Sequence, residues 1–216
     1  MTRYLFLYLT IMGIGIIGLV PQAAAQTPVE AMPSGVYKLD KTHASLVWKV
    51  SHLGLSDYTA RFTNFDAELN FDPENPENST LVATVDPTSV ETDYPGEKDF
   101  NKKLAEGEKW FNAGTYPEIR FESRSVEKTG ENTGKVTGEL SMLGMTQPLV
   151  LDVTFNKAMQ TQPFSGKPTL GFSATGVLER SQWGMDTYVP NIGDKVEILI
   201  EAELAKDVPE DEEKSE

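Results

Sequence analysis

Apolar and polar residues alternate along most of this chain, and a period of two predicts strands buried on one face. Val196, Ile198, Ile200, Ala202 and Leu204 form one apolar row, with Glu197, Glu201 and Glu203 on the opposite side. Leu149, Leu151, Val153 and Phe155 form a second row, set against Val150, Asp152 and Thr154. Leu170, Phe172, Ala174, Gly176 and Leu178 repeat the pattern, as do Val136, Gly138, Leu140 and Met142, and also Leu46, Trp48 and Val50. Ile119 and Phe121 open another strand, and Leu81, Ala83 and Val85 make a short one. Residues 58–71 read as one long strand whose apolar phase slips between Phe62 and Phe65, which predicts a bulge or bend. Turn-forming clusters at 72–76, 129–134 and 162–168 separate these segments.

One stretch departs from alternation. Residues 97–111 carry Phe100, Leu104, Trp110 and Phe111 among Lys, Glu and Asn, and Phe100 and Leu104 stand four apart, a helical spacing. Gly107 divides the stretch, so the expectation is a short helix followed by a further helical turn, crossing one end of the sheet. Eight or more antiparallel strands with one helical insertion give an all-β fold, either a closed barrel or a sandwich. A barrel of about eight strands is just wide enough to hold side chains or one slim ligand.

The ends of the chain are read separately. Residues 1–25 have the form of a secretory signal peptide: Arg3, an apolar run from Leu5 to Val20, then Ala23, Ala24 and Ala25 before the expected cut. An exported protein follows. Residues 26–34 hold two prolines and little periodicity and read as a flexible lead-in to a domain over 35–205. Residues 206–216 form an acidic tail with six acids and one Lys after position 206, expected to be solvated and disordered.

Charge narrows the function classes. The chain has 216 residues, 19 Lys and Arg against 33 Asp and Glu, and a formal net charge of −14. Such a surface lacks the cations that phosphate contacts require, so nucleic acid is not an expected partner, and docking on anionic lipid is disfavoured. There is no Cys, hence no thiol chemistry and no thiolate metal site. The two histidines, His43 and His52, are nine apart without HxH or HExxH spacing, so neither a metal nor a cofactor is expected. Gly13, Gly15 and Gly18 spell GxGxxG, but inside the signal peptide, where the match is spurious. What remains is a large share of aromatic residues on strand faces. They either fill the barrel or line a cavity suited to lipid, and the alternation alone leaves both open.

Three stretches in order carry a family resemblance: residues 37–54, with Tyr37, Thr42, His43, Trp48, His52 and Gly54; residues 136–153, with Gly138, Leu143, Gly144, Thr146 and Pro148; and residues 179–198, with Arg180, Trp183, Gly184, Gly193 and Asp194. Together they resemble the YceI-like family of bacterial periplasmic proteins. One departure is Ala60 before Arg61 and Phe62, where the family usually has Gly. The resemblance implies a lipocalin-like antiparallel β-barrel that binds a long-chain isoprenoid, of quinone or prenol type, or a similar amphiphile in an internal pore. It implies no established reaction and is compatible with a homodimer. It also gives Gly144 and Pro148 a hairpin corner, with Pro148 starting the following strand. The expected pore residues are Trp48, Phe62, Phe65, Phe121, Leu140, Met142, Phe155 and Phe172, with Phe100 and Leu104 from the insertion. Arg180 is expected either at the ligand head or barrel mouth, or in a structural salt bridge.

Two other readings stand beside the binding protein. An eight-stranded outer-membrane barrel needs an apolar outward band, whereas the outward rows here are charged, so no stable membrane insertion is expected. A small enzyme acting on an isoprenoid or related metabolite would have to use His43, His52, Asp186 or Arg180, whose spacing specifies no reaction.

Overall fold

The alternating segments become ten antiparallel strands in the computed structural model, which describes residues 27–207. They are β1 (Gly35–His52), β2 (Ser56–Phe62), β3 (Phe65–Phe71), β4 (Thr80–Val85), β5 (Val90–Glu91), β6 (Ile119–Lys128), β7 (Thr133–Met142), β8 (Met145–Met159), β9 (Thr169–Glu179) and β10 (Ile192–Lys206), with one helix, α1 (Phe100–Glu106). Neighbours run β10-β9-β8-β7-β6-β4-β3-β1, and β1 pairs again with β10, which closes the barrel. Strand β2 lies along Leu46–His52 of β1 and β3 along Gly35–Lys38. The two are halves of one bent stave, and β4 with β5 makes another. The result is a closed antiparallel barrel of eight staves, as the family resemblance implied; of the two folds that the alternation left open, it is the barrel and not the sandwich.

The phase slip between Phe62 and Phe65 is the break between β2 and β3. Its backbone groups are met by the next corner: Thr63 N–H donates to Ser89 O (3.0 Å) and Asp86 N–H to Asn64 O (3.0 Å). Both phenylalanines therefore point inward despite their odd spacing. Strand β1 bends too. Its register against β10 jumps between Leu39 and Ala44, so that residues 40–43 bulge outward, braced by Asp40 Oδ1, which accepts from Thr42 N–H (2.9 Å).

Paired registers define the two ends of the barrel. His52 faces Ile192, and Met142 faces Met145 across the β7–β8 turn, at what we call the upper end. That turn places Leu143 (φ 53°) and Gly144 (φ 73°) in the left-handed region, the pairing of a tight hairpin. The strand after it starts at Met145, three residues before the proline expected to open it. Pro148 is tolerated inside β8 because the ladder to β9 begins only at Leu151, so its missing donor has no waiting partner. Farther down, Gly138 allows close approach: a Cβ there would lie 2.4 Å from Phe121 Cζ and 2.5 Å from Glu122 O.

Because β5 has two residues and β6 begins only at Ile119, the upper wall has a gap, which α1 and its flanks fill. Asp99 caps α1 by accepting from Lys102 N–H (2.8 Å), and Gly107 follows its last turn. The second helical piece expected near Trp110 is instead a set of turns, in which Trp110 N–H donates to Gly107 O (2.8 Å) and Phe111 N–H to Leu104 O (3.1 Å).

The lower end is plugged by a second apolar cluster of Met32, Tyr37, Phe71, Ala158, Leu170 and Leu204. Burial pushes the Tyr37 hydroxyl up to about 12, and it donates to Pro33 O (2.7 Å). The lead-in expected over 26–34 is thus anchored from Val29 onward: Met32 is buried, and Gln160 Nε2 donates to Ala31 O (2.9 Å). At the other terminus β10 runs one residue past the expected boundary, to Lys206, and Asp207 pairs with Lys38 (2.8 Å). The signal-peptide segment and the rest of the acidic tail lie outside the described residues. The outer face carries cross-strand ion pairs, Lys49–Glu197 (2.8 Å) and Lys135–Asp152 (2.6 Å) among them, where a membrane-spanning barrel would need an apolar band.

Candidate functional site: an apolar cavity through the barrel

The inward rows do not meet at the barrel axis. They enclose a cavity of about 610 Å³, within the range of small-molecule sites. Ten of the eleven residues expected at the pore line it: Trp48, Phe62, Phe65, Phe100, Leu104, Phe121, Leu140, Met142, Phe172 and Arg180. Phe155 does not. It sits one step too low on β8 and packs in the plug, its ring 5.6 Å from Phe172.

Several lining residues were missed in the sequence. Tyr58, Tyr94, Trp110 and Tyr188 line the upper part, on loops or at strand ends where alternation gives no signal. Tyr58 packs edge-on to Phe100 (6.1 Å), Tyr94 tilts against Phe100 (5.2 Å) and Trp110 against Tyr188 (6.3 Å). These aromatic contacts join α1 to β2 and to the loop before the helix, and the turns after α1 to the loop that carries Tyr188. Polar side chains in the lining, tyrosines aside, are His52, Ser79, Lys103 and Arg180. Trp48 Nε1 and Tyr58 OH are buried without a hydrogen-bond partner. Native interiors rarely leave such donors bare, so an acceptor in the cavity would be well received here.

Arg180 stands at the upper end of the lining, and backbone carbonyls rather than a salt bridge hold it there. Its guanidinium is buried, and it donates to four backbone carbonyls: Nε to Gly193 O (2.8 Å), Nη1 to Met185 O (2.6 Å), and Nη2 to Thr187 O (3.0 Å) and Ile192 O (3.0 Å). Burial lowers its pKa, and the charges of Asp194 and Asp186 oppose that shift. The group staples segment 185–193 to the start of the loop. Asp194 completes the staple, accepting from Ser181 N–H (2.8 Å) and Ser181 Oγ (2.7 Å).

The four groups considered for catalysis do not form one constellation. His52 lines the cavity, Arg180 is saturated by carbonyls beside Asp186, and His43 sits on the outer bulge of β1, away from the lining. There its Nδ1 lies 2.8 Å from Asp40 Oδ2. Glu203 comes from β10 to join them, and the three ligand-type atoms lie within 4.8 Å of one another. This cluster was invisible in sequence because Glu203 is distant along the chain.

The Asp40 hydrogen bond, then its charge, raise His43 above the ordinary 6.5, and the Thr42 and His43 hydrogen bonds hold Asp40 below 3.8. The His43 contribution to stability is complete below 6.5 and is lost as pH rises through its raised value. The Asp40 contribution is present above 3.8 and is lost as pH falls through its lowered value. A proton-NMR titration should therefore place His43 above 6.5, with Asp40→Asn returning it toward 6.5. A wild-type midpoint at or below 6.5 would break the assignment.

Comparison with known proteins places this barrel. A sequence profile of the YceI-like domain matches residues 37–204. A UPF0312 protein of Pseudomonas putida is 36% identical over 151 residues, covering 69% of this chain and 76% of its own length. BcnA of Burkholderia cenocepacia superposes with a TM-score of 0.66 at 23% identity, over 76% of this chain and 98% of that one. A polyisoprenoid-binding domain from Saccharophagus degradans does so with a TM-score of 0.60 at 12% identity, over 81% of this chain and all of that one. With residues 37–204, nearly the whole barrel, matched in sequence, the chain belongs to the YceI-like family.

Proposed function

We propose that the protein binds one long-chain isoprenoid, of quinone or prenol type, or a similar amphiphile, in the barrel cavity. In this reading it serves as an exported carrier or store in the periplasm after cleavage behind Ala25. The observation that carries the reading is the cavity itself, about 610 Å³ walled by apolar side chains from every stave. Burying a hydrocarbon chain in such a space gains about 0.8 kcal/mol per CH2, enough over several isoprene units for tight binding without any charged anchor. The partnerless donors of Trp48 and Tyr58 offer an amphiphile's oxygen a place to bind. The polyisoprenoid-binding barrel of Saccharophagus degradans is a fold-level parallel. Binding is favoured over turnover because the reactive side chains of the lining, His52 and Lys103, are exposed, and Arg180 is occupied.

The test is mass spectrometry of an organic extract from the protein purified natively out of a periplasmic fraction. A long-chain isoprenoid or other lipid near one per chain is the expected result. An empty extract, together with no uptake of added prenylquinone or prenol, overturns the binding reading. Recovery of the protein outside the periplasm overturns the export reading alone.

A further inference from the structure

Exposed apolar side chains are not scattered evenly over this molecule. Among the described residues ten large hydrophobic side chains stand exposed, and six of them gather at the upper end: Leu53, Leu55, Tyr94, Met145, Tyr188 and Val189. Leu55 is 82% exposed, Tyr188 62% and Leu53 55%. They come from separate loops that are tied together. Leu53 N–H donates to Asn191 O (2.7 Å), joining the β1–β2 turn to the loop that carries Tyr188 and Val189. Tyr188 and Tyr94 also line the cavity, so the collar runs continuously into the lumen. Leu53 (φ 58°) and Tyr188 (φ 64°) both hold the left-handed backbone that bulky residues avoid. Strained, exposed apolar residues need a reason that core packing does not supply.

The charge pattern says what kind of surface the collar meets. The chain carries a net charge of −14, yet residues 51–56 and 187–193 contain no Asp, Glu, Lys or Arg. Residues 97–110, around α1, balance Glu97, Asp99, Glu106 and Glu108 with Lys98, Lys102, Lys103 and Lys109. Of the acids that flank these tips, Asp93 pairs with Arg61 (3.6 Å) and Asp57 with Lys49 (3.8 Å), while Asp186 stands exposed, so the upper tips carry far less net charge than the acidic body. Aliphatic tips with Tyr and Trp behind them match the interface of a bilayer, where aromatic rings sit at headgroup level. An acidic body would keep the rest of the molecule in water and repel anionic headgroups.

We infer that the upper collar docks on a neutral, zwitterionic phospholipid bilayer, so that cargo passes between membrane and lumen without crossing water. The inference rests on the lipid-binding reading for its purpose, while the docking itself is tested independently. The experiment is flotation of the full chain with phosphatidylcholine vesicles, with and without phosphatidylglycerol, for the wild type and for Leu53→Asn/Leu55→Asp. Neither substituted residue lines the cavity, and Asn tolerates the left-handed backbone at 53. Wild-type protein should float with phosphatidylcholine, less so with phosphatidylglycerol present, and the double variant should float at least tenfold less. Transfer of a prenylquinone from those vesicles should slow in parallel in the variant, while uptake of the same quinone from detergent solution stays within twofold. Equal flotation of the two proteins, or none by either, overturns the inference. So does a concentration-dependent dimer that the variant abolishes in the absence of flotation, since the collar then faces a second copy. Failure to take up quinone from detergent speaks against the cargo reading alone, and flotation still decides the collar.

Discussion

Leu140→Trp should leave the barrel folded and cut affinity for a long-chain prenylquinone by more than a hundredfold. Leu140 lies on β7 with its side chain in the lumen, paired across to Phe121 on β6 and Gln147 on β8. Its backbone carbonyl accepts from Trp183 Nε1 (3.1 Å), a contact that the substitution leaves in place. An indole at 140 has empty space to enter, so its cost to folding falls at or below the roughly 1–3 kcal/mol usual for overpacking. The cargo bears the loss instead. Excluding only four carbons from the lumen forfeits about 3 kcal/mol, more than a hundredfold in Kd. Val150→Trp is the matched control, since Val150 is on the outer face of the same sheet and half exposed. Calorimetric titration with a prenylquinone checks both variants. Native-like melting with unchanged affinity in Leu140→Trp would exclude the lumen as the binding place.

The lumen was legible because alternation survives wherever one face of a strand is buried along its length. Val196, Ile198, Ile200, Ala202 and Leu204 read as one row, and all five line the cavity. Leu81, Ala83 and Val85 do so as well, from a strand of only six residues. Period two says which face is inward but not how high along the barrel a residue stands. Phe155 shares the parity of Leu149 and Leu151 and still belongs to the lower plug. That plug was unreadable because it joins Met32, Tyr37, Phe71, Leu170 and Leu204, whose proximity depends on barrel closure. The same holds for Glu203 beside His43. Loop residues escape for another reason. Leu55 and Tyr188 are apolar letters in the sequence, and nothing local indicates that the folded chain leaves them in solvent.

Arg180 is the clearest case of chemistry that sequence could not assign, and its removal should have the largest effect on stability. An Arg between an apolar strand and a loop invites a search for an anion, yet the partners are four carbonyls between positions 185 and 193. Arg180→Met keeps the length and apolar contact of the side chain and strips those carbonyls of their donor. Counting about 1 kcal/mol for each carbonyl left in a largely buried site, the variant should lose on the order of 4 kcal/mol. For a domain of this size that corresponds to roughly 10 °C in Tm, measurable by scanning calorimetry. Arg180→Lys should recover less than half of the loss, because a single ammonium cannot reproduce a fork that reaches four acceptors at once. Hydrogen exchange should localise the damage. Amides of 184–191 should lose protection in Arg180→Met well before those of β7 and β8, since these residues are held by the guanidinium, by Asp194 and by their own turns rather than by a ladder. Leu53 is tied to the same segment through Asn191, so the β1–β2 turn should loosen with it. A Tm within about 2 °C of wild type, which is under 1 kcal/mol at this size, would mean that water replaces the guanidinium at little cost, and the staple would then not govern the upper end.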